Sequence, residues 1–144
     1  MVEGVPMTAR TLGRLALGTF LAGAGAGHLT FARAEFQAQV PDWVPVDKDL
    51  VVIGSGVVEV LLGLALLLTP RRHRPLVGWV AAAFFVAIFP GNISQYVTGT
   101  DAFGLTSDTA RAVRLLFQPV LVVWALWSTG AWRAVRASGR DGRA

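Results

Sequence analysis

Four long runs of apolar residues, separated by short polar stretches, make up most of this 144-residue chain. The clearest is Leu50 to Leu68, nineteen residues with one charge, Glu59, bounded by Asp47 and Asp49 before it and Pro70 after it. At ~1.5 Å per residue a helix of this length reaches about 28 Å, the depth of a bilayer's hydrocarbon core. With 53% hydrophobic and 15% charged residues, the chain has more apolar surface than a soluble domain of this size can bury. These features predict an all-α fold, an integral membrane antiparallel four-helix bundle forming a single domain over residues 1–144.

The expected spans are about 11–31, 50–68, 76–93 and 110–127. The first carries Gly13, Gly18, Gly23, Gly25 and Gly27 among Leu and Ala. Small residues at four-residue spacing let a neighbouring helix approach closely, so this span is read as a central one. A cleaved signal peptide competes, since Arg10 and Arg14 precede the run and Ala32-Arg33-Ala34 imitates a small-x-small cleavage site. The run is longer than a signal core, which favours a retained helix. Pro90 and Pro119 fall inside the third and fourth spans as expected kinks, and neighbouring groups must satisfy the carbonyls they free.

Charge sets the expected orientation. Arg10, Arg14, Arg71, Arg72, Arg74, Arg133, Arg136, Arg140 and Arg143 collect on one side, against Arg33, Lys48, Arg111 and Arg114 on the other. The richer side is the cytoplasmic one, so both termini and the 71–74 loop are expected there, in a multi-pass protein of the cell membrane. Trp79, Trp127 and Trp132 then fall at the inner interface, with Trp43 and Tyr96 at the outer one. Of the outer connections, 32–49 reads as a stiff surface segment around Pro41, Trp43 and Pro45, and 94–109 as an irregular loop. Residues 133–144 read as a frayed basic cytoplasmic tail. The basic residues sit beside the ends of apolar runs and form no stripe interleaved with aromatics, so the partner expected for the +4 net charge is the lipid bilayer and not nucleic acid.

Polar residues inside apolar spans are costly and need a partner or a purpose. His28, Glu59, Asn92, Gln95, Arg111, Arg114 and Gln118 all fall in the outer half. Gly56, Glu59 and Gly63 are spaced i, i+3 and i+7, so the carboxylate projects from a small-residue face towards another helix. Arg111, Arg114 and Gln118 share a face in the same way, and Arg114 is expected to meet Glu59 directly or through Gln118. The candidate ligand-binding residues are His28, Glu59, Asn92, Arg114 and Gln118. Each also has a structural reading: a buried pair can merely lock helices together, His28 can cap a helix end, and Asn92 can serve carbonyls freed by Pro90.

The absence of cysteine excludes thiol chemistry and iron–sulfur ligation by this chain alone. His28 and His73 fall at opposite ends, so neither a bis-histidine haem nor a metal site is expected, and no covalently bound cofactor. No phosphate-binding loop or nucleophile triad is visible.

At these same residues the sequence resembles the DoxX family of small four-helix membrane proteins. The resemblance rests on Gly27-His28, Val40-Pro41-Asp42-Trp43-Val44-Pro45, Gly54-Ser55-Gly56-Val57-Val58-Glu59, Phe89-Pro90-Gly91-Asn92-Ile93 and Val113-Arg114-Leu115-Leu116-Phe117-Gln118, in that order. That family is similar in name and architecture to the DoxD subunits of thiosulfate:quinone oxidoreductases. The resemblance implies a subunit of a membrane redox system that binds a quinone or another small lipophilic molecule, with a membrane oxidoreductase partner or a homo-oligomer as its assembly. The alternatives are a non-enzymatic membrane scaffold or assembly partner, and a small-molecule or proton transporter.

Overall fold

A computed structural model describes residues 7–141; Arg143 and both chain ends lie outside the described residues. The described chain is helical, in the order α1 (Ala9–Leu29), α2 (Arg33–Gln37), α3 (Lys48–Leu68), a 3₁₀ turn (Arg71–His73), α4 (Arg74–Thr98), α5 (Asp108–Thr129) and α6 (Ala131–Asp141). Three of the long segments, Lys48–Leu68, Arg71–Thr98 and Asp108–Thr129, are long and apolar enough to cross a membrane. α1 has a similar length, but its arginines, histidine and many glycines make it less apolar.

The helix starts follow from side-chain caps. Thr8 accepts from the Thr11 amide, Asp47 from the amides of Asp49 and Leu50, and Ser107 from the Ala110 amide, each meeting an amide that has no partner within its own helix. α4 and α5 end at Gly99 and Gly130, whose φ values of 65° and 75° suit glycine.

Two elements differ from the sequence reading. α4 runs through Pro90 to Thr98, so the segment expected to be an irregular loop from residue 94 begins at Gly99. Proline removes one amide but need not end a helix, and the stop comes from the left-handed glycine. The basic tail is helical from Ala131 as far as it is described, because Ala-Trp-Arg-Ala-Val-Arg-Ala favours helix once Gly130 has turned the chain.

α1 packs along α3 and α4 along α5, with further contact between α1 and α5 and between α3 and α4. The apolar core is Leu17 and Leu21 of α1, Leu62 and Leu66 of α3, Ala81, Ala82 and Phe85 of α4, and Leu121, Ala125 and Leu126 of α5, closed by Ala131. It separates a polar end beneath α2 from a basic end around the 3₁₀ turn.

The α1–α3 contact is made by glycine. A Cβ on Gly25 would come within 2.6 Å of the Gly56 carbonyl oxygen, and one on Gly63 within 2.5 Å of the Ala22 amide nitrogen and 2.7 Å of the Gly18 carbonyl oxygen. These neighbours are backbone and cannot swing aside. Gly63→Val should therefore force α1 and α3 apart and cost about 1–3 kcal/mol or more, as overpacking does. Gly54→Ala, where a Cβ meets nothing within 4 Å, should stabilise by up to ~1 kcal/mol through helix propensity. Thermal unfolding of the two variants beside the parent checks this contrast.

Candidate functional site

The same glycine contact brings His28 against α3. Gly56 has no side chain to hold the histidine off, since a Cβ there would lie 2.6 Å from His28 Cβ. Ser55 and Glu59, at i and i+4 on α3, then take one ring nitrogen each. His28 Nδ1 lies 3.0 Å from Ser55 Oγ and 3.4 Å from the Val52 carbonyl oxygen, and Nε2 lies 3.3 Å from Glu59 Oε2.

The hydrogen-bond directions assign the ring proton. The Ser55 hydroxyl donates to the Val52 carbonyl at 3.0 Å, which leaves its oxygen to accept. A carbonyl can only accept, so Nδ1 carries the hydrogen and donates to both. The neutral ring therefore turns its basic Nε2 towards the Glu59 carboxyl group. Both residues are buried, at 6% and 5% exposure. Nε2 and Oε2 face each other without hydrogen-bonding alignment, and neither has another hydrogen-bond partner among the described residues.

Above this pair lies a cavity of about 230 Å³ between α1, the α2 connection, α3 and α4. Its walls are mostly apolar, including Phe36, Val40, Trp43, Val51 and Ile88, and its polar groups are His28, Ser55, Glu59, Gln39 and Asn92. α2 is tied across it by Arg33, which pairs with both oxygens of Asp49 with Nε–Oδ1 at 2.5 Å, and by Gln37, which donates to Asp49 Oδ1 at 2.6 Å. This places the Phe36 ring 3.3 Å from the His28 ring, centroid to centroid.

The loop after α4 supports the cover. Phe103 has φ 55°, unusual for an aromatic residue, and its amide donates to Glu35 Oε2 at 2.6 Å. Its ring meets Phe36 edge-on at 4.6 Å, and the Arg114 guanidinium sits 5.1 Å above it. Arg111, which also bonds Asp108 of its own helix at 2.8 Å, braces the loop through Asp101 and through the Thr100 carbonyl at 3.3 Å.

Of the five residues singled out in the sequence, His28, Glu59 and Asn92 line the cavity, while Arg114 and Gln118 lie behind it. Arg114 and Glu59 do not form the direct ion pair expected: Arg114 Nη2 donates to Gln39 Oε1 at 3.2 Å, and the group facing Glu59 is His28. Gln118 does not bridge them either. It accepts from Asn92 Nδ2 at 2.9 Å and donates to the Phe85 carbonyl at 2.7 Å, fastening α5 to α4 just before the stretch that Pro90 loosens. Sequence reasoning missed Ser55, Phe36, Gln39 and Phe103. Ser55 could have been found four residues before Glu59 on the same face, whereas the other three reach the site through connections with no periodicity to read. Among the described residues, no three His, Asp or Glu side chains gather to hold a metal ion.

Fold and site together define an all-helical protein in which a buried imidazole–carboxyl pair floors an apolar cavity. The chain belongs to the family described as Domain of unknown function (DUF8561), which matches residues 17–129 and so contains the whole site and leaves α6 outside. No curated protein and no solved structure matches the chain.

Asn92→Leu should leave a buried Gln118 acceptor unserved and destabilise by about 1–3 kcal/mol. Asn92→Leu with Gln118→Leu should cost less than the sum of the two single changes, because each single change strands the other's amide. A double-mutant cycle by thermal or denaturant unfolding reads the coupling.

Proposed function

We propose that this chain is an integral membrane four-helix bundle, with both termini on the cytoplasmic side, that binds a small lipophilic molecule bearing a carbonyl or hydroxyl oxygen between its helices near the outer face. A quinone ring fits this description, and the role is then that of a ligand-binding subunit of a membrane redox system, as the DoxX resemblance implies. The observation that carries the proposal is the apolar cavity over His28 and Glu59, whose facing atoms lack aligned hydrogen-bond partners. Pockets of this kind pair apolar walls with a few placed polar groups. At about 230 Å³ the cavity is below the ~300–1,000 Å³ of drug-sized sites, so it suits one ring with its tail left in lipid.

The membrane reading is supported by what faces outward. Leu61, Leu68, Val86, Val97, Leu116 and Val123 are all exposed, while His28, Glu59, Gln95 and Gln118 are buried. An apolar exterior around polar interior groups suits lipid as the solvent. Transport is less well supported, because the closed core of Leu17, Leu21, Leu62, Leu66 and Phe85 lies between the cavity and the basic end.

Single cysteines at Ser138 and Thr100, in a chain with none of its own, should label from opposite sides of the membrane. Labelling of both from one side removes the topology.

For the site, the probe is decylubiquinone added to the purified protein in detergent, read by quenching of Trp43, which lines the cavity, and by thermal shift. Saturable binding is expected, weakened at least tenfold by His28→Ala and by Glu59→Leu. A stable His28→Leu/Glu59→Leu variant that binds the quinone like the parent would mark the pair as a packing device, and no binding by the parent would end the quinone reading.

A further inference from the structure

The opposite end of the molecule holds a second, chemically different site. The start of α1, the 3₁₀ turn and the α5–α6 junction surround a cleft of about 630 Å³, lined by five arginines: Arg10, Arg14, Arg71, Arg74 and Arg133. None of the five has an ion-pair partner among the described residues, and no carboxylate there lines the cleft. Like charges gathered in this way repel, most of all around Arg14, which is only 4% exposed. An anion between them would offset that repulsion.

Two of the arginines are held in place from behind. Arg14 Nη1 donates to the Leu66 carbonyl and, at 3.2 Å, to the Leu67 carbonyl; Arg74 Nε donates to the Thr69 carbonyl at 3.1 Å. These bonds cap the carbonyl end of α3 and use only part of each guanidinium, whose remaining N–H groups have no acceptor among the described residues. Arg10, Arg71 and Arg133 make no side-chain hydrogen bond among the described residues. Capping therefore accounts for two of the five at most.

Ser128 is the independent sign of a ligand. It lines the same cleft at 5% exposure, and its hydroxyl has no hydrogen-bond partner among the described residues. Its neighbour Thr129 behaves otherwise, donating back to the Ala125 carbonyl at 2.7 Å. A buried hydroxyl left without a partner beside five guanidinium groups is a donor waiting for an acceptor. The first turn of α1, through Thr8 and Thr11, adds the positive end of a 21-residue helix.

From the unpaired arginines and the unpartnered Ser128 hydroxyl, we infer that this cleft binds a phosphate group. Planar guanidinium forks match phosphate oxygens in pairs, and the serine supplies a further donor. The same chemistry is offered by a phospholipid headgroup and by a free phosphate, and the test separates them. It does not depend on the His28 cavity, which lies beyond the apolar core.

The full-length protein in neutral detergent is titrated with pyrophosphate, and separately with phosphatidylcholine micelles with and without phosphatidylglycerol, while thermal unfolding is followed. A saturable upward shift is expected with one of the two anionic phosphate sources and not with zwitterionic phosphatidylcholine alone, whose choline already neutralises its phosphate. Arg10→Gln/Arg71→Gln and Ser128→Ala should each raise the half-saturating concentration at least tenfold. Arg136→Gln/Arg140→Gln, with the same change in charge but outside the cleft, should stay within twofold. Ser128→Ala removes a hydroxyl that holds no bond among the described residues, so its effect reads the ligand and not stability. A shift with pyrophosphate assigns a soluble phosphate, and one with phosphatidylglycerol alone assigns a headgroup. No saturable shift with either, or equal losses in the cleft and control variants, would reduce the site to a diffuse basic face and overturn the inference.

Discussion

The backbone contact between α1 and α3 is the constraint on which the rest of the structure hangs. Gly18 and Gly25 on one helix meet Gly63 and Gly56 on the other at distances that leave no room for a Cβ. Without that approach Leu17 and Leu21 would not reach Leu62 and Leu66, and the His28 ring would not stand between Ser55 and Glu59. Glycine weakens each helix taken alone, by ~1 kcal/mol per residue relative to alanine. The close packing it permits offsets that loss, and the geometry it imposes puts a titratable ring beside a carboxyl group in an apolar interior.

The buried polar groups then fall into two kinds. Asn92, Gln118, Gln95 and Arg111 find partners: Asn92 donates to Gln118, which donates in turn to the Phe85 carbonyl, Gln95 accepts from Gln39 and donates to the Thr100 carbonyl, and Arg111 braces the loop that carries Phe103. Satisfied networks of this sort fix which helices meet and how far apart they stand. His28 Nε2, Glu59 Oε2 and Ser128 Oγ are of the other kind, buried without an aligned partner among the described residues. Each of these three atoms belongs to a residue that lines a cavity or cleft, which ties the missing partners to places where a ligand has room.

Much of the helical layout was legible in the sequence because it follows from local rules. The apolar runs, the cap at Asp47 and the small-residue face around Glu59 all depend on residues near each other in the chain. The site was legible only as a set of members. Spacing put Glu59 and Arg114 on inward faces, but a facing direction does not choose a partner. The glycine seam set His28 against Glu59, while the α2 connection and the 99–107 loop took up Arg114 through Gln39 and Phe103. Those connections obey no period, and Phe103 is held at a positive φ by a contact with Glu35, sixty-eight residues earlier in the chain. The helical α6 went unread for a different reason: its charges look like a solvated tail, and the glycine that starts it is visible only as a turn.

The two ends of the molecule therefore ask for different things from whatever surrounds them. At the α2 end the groups without partners are one imidazole nitrogen and one carboxyl oxygen in apolar walls, which suits a neutral ring with a single polar atom. At the basic end they are guanidinium groups and a hydroxyl, donors only apart from that hydroxyl's own oxygen, which suits an anion. The apolar core lies between the two ends and, among the described residues, leaves no polar path from one to the other. Two routes join them: α4, which runs from Arg74 in the cleft to Asn92 in the cavity wall, and the α1–α3 pair, which carries Arg14 and the Leu66 carbonyl at one end and His28 and Glu59 at the other. Arg14 grips α3 through carbonyls one helical turn beyond Gly63, where the backbones are already in contact. An anion drawing on Arg14 would act on that grip, and the rigid glycine seam is the element through which any such change would be felt at His28.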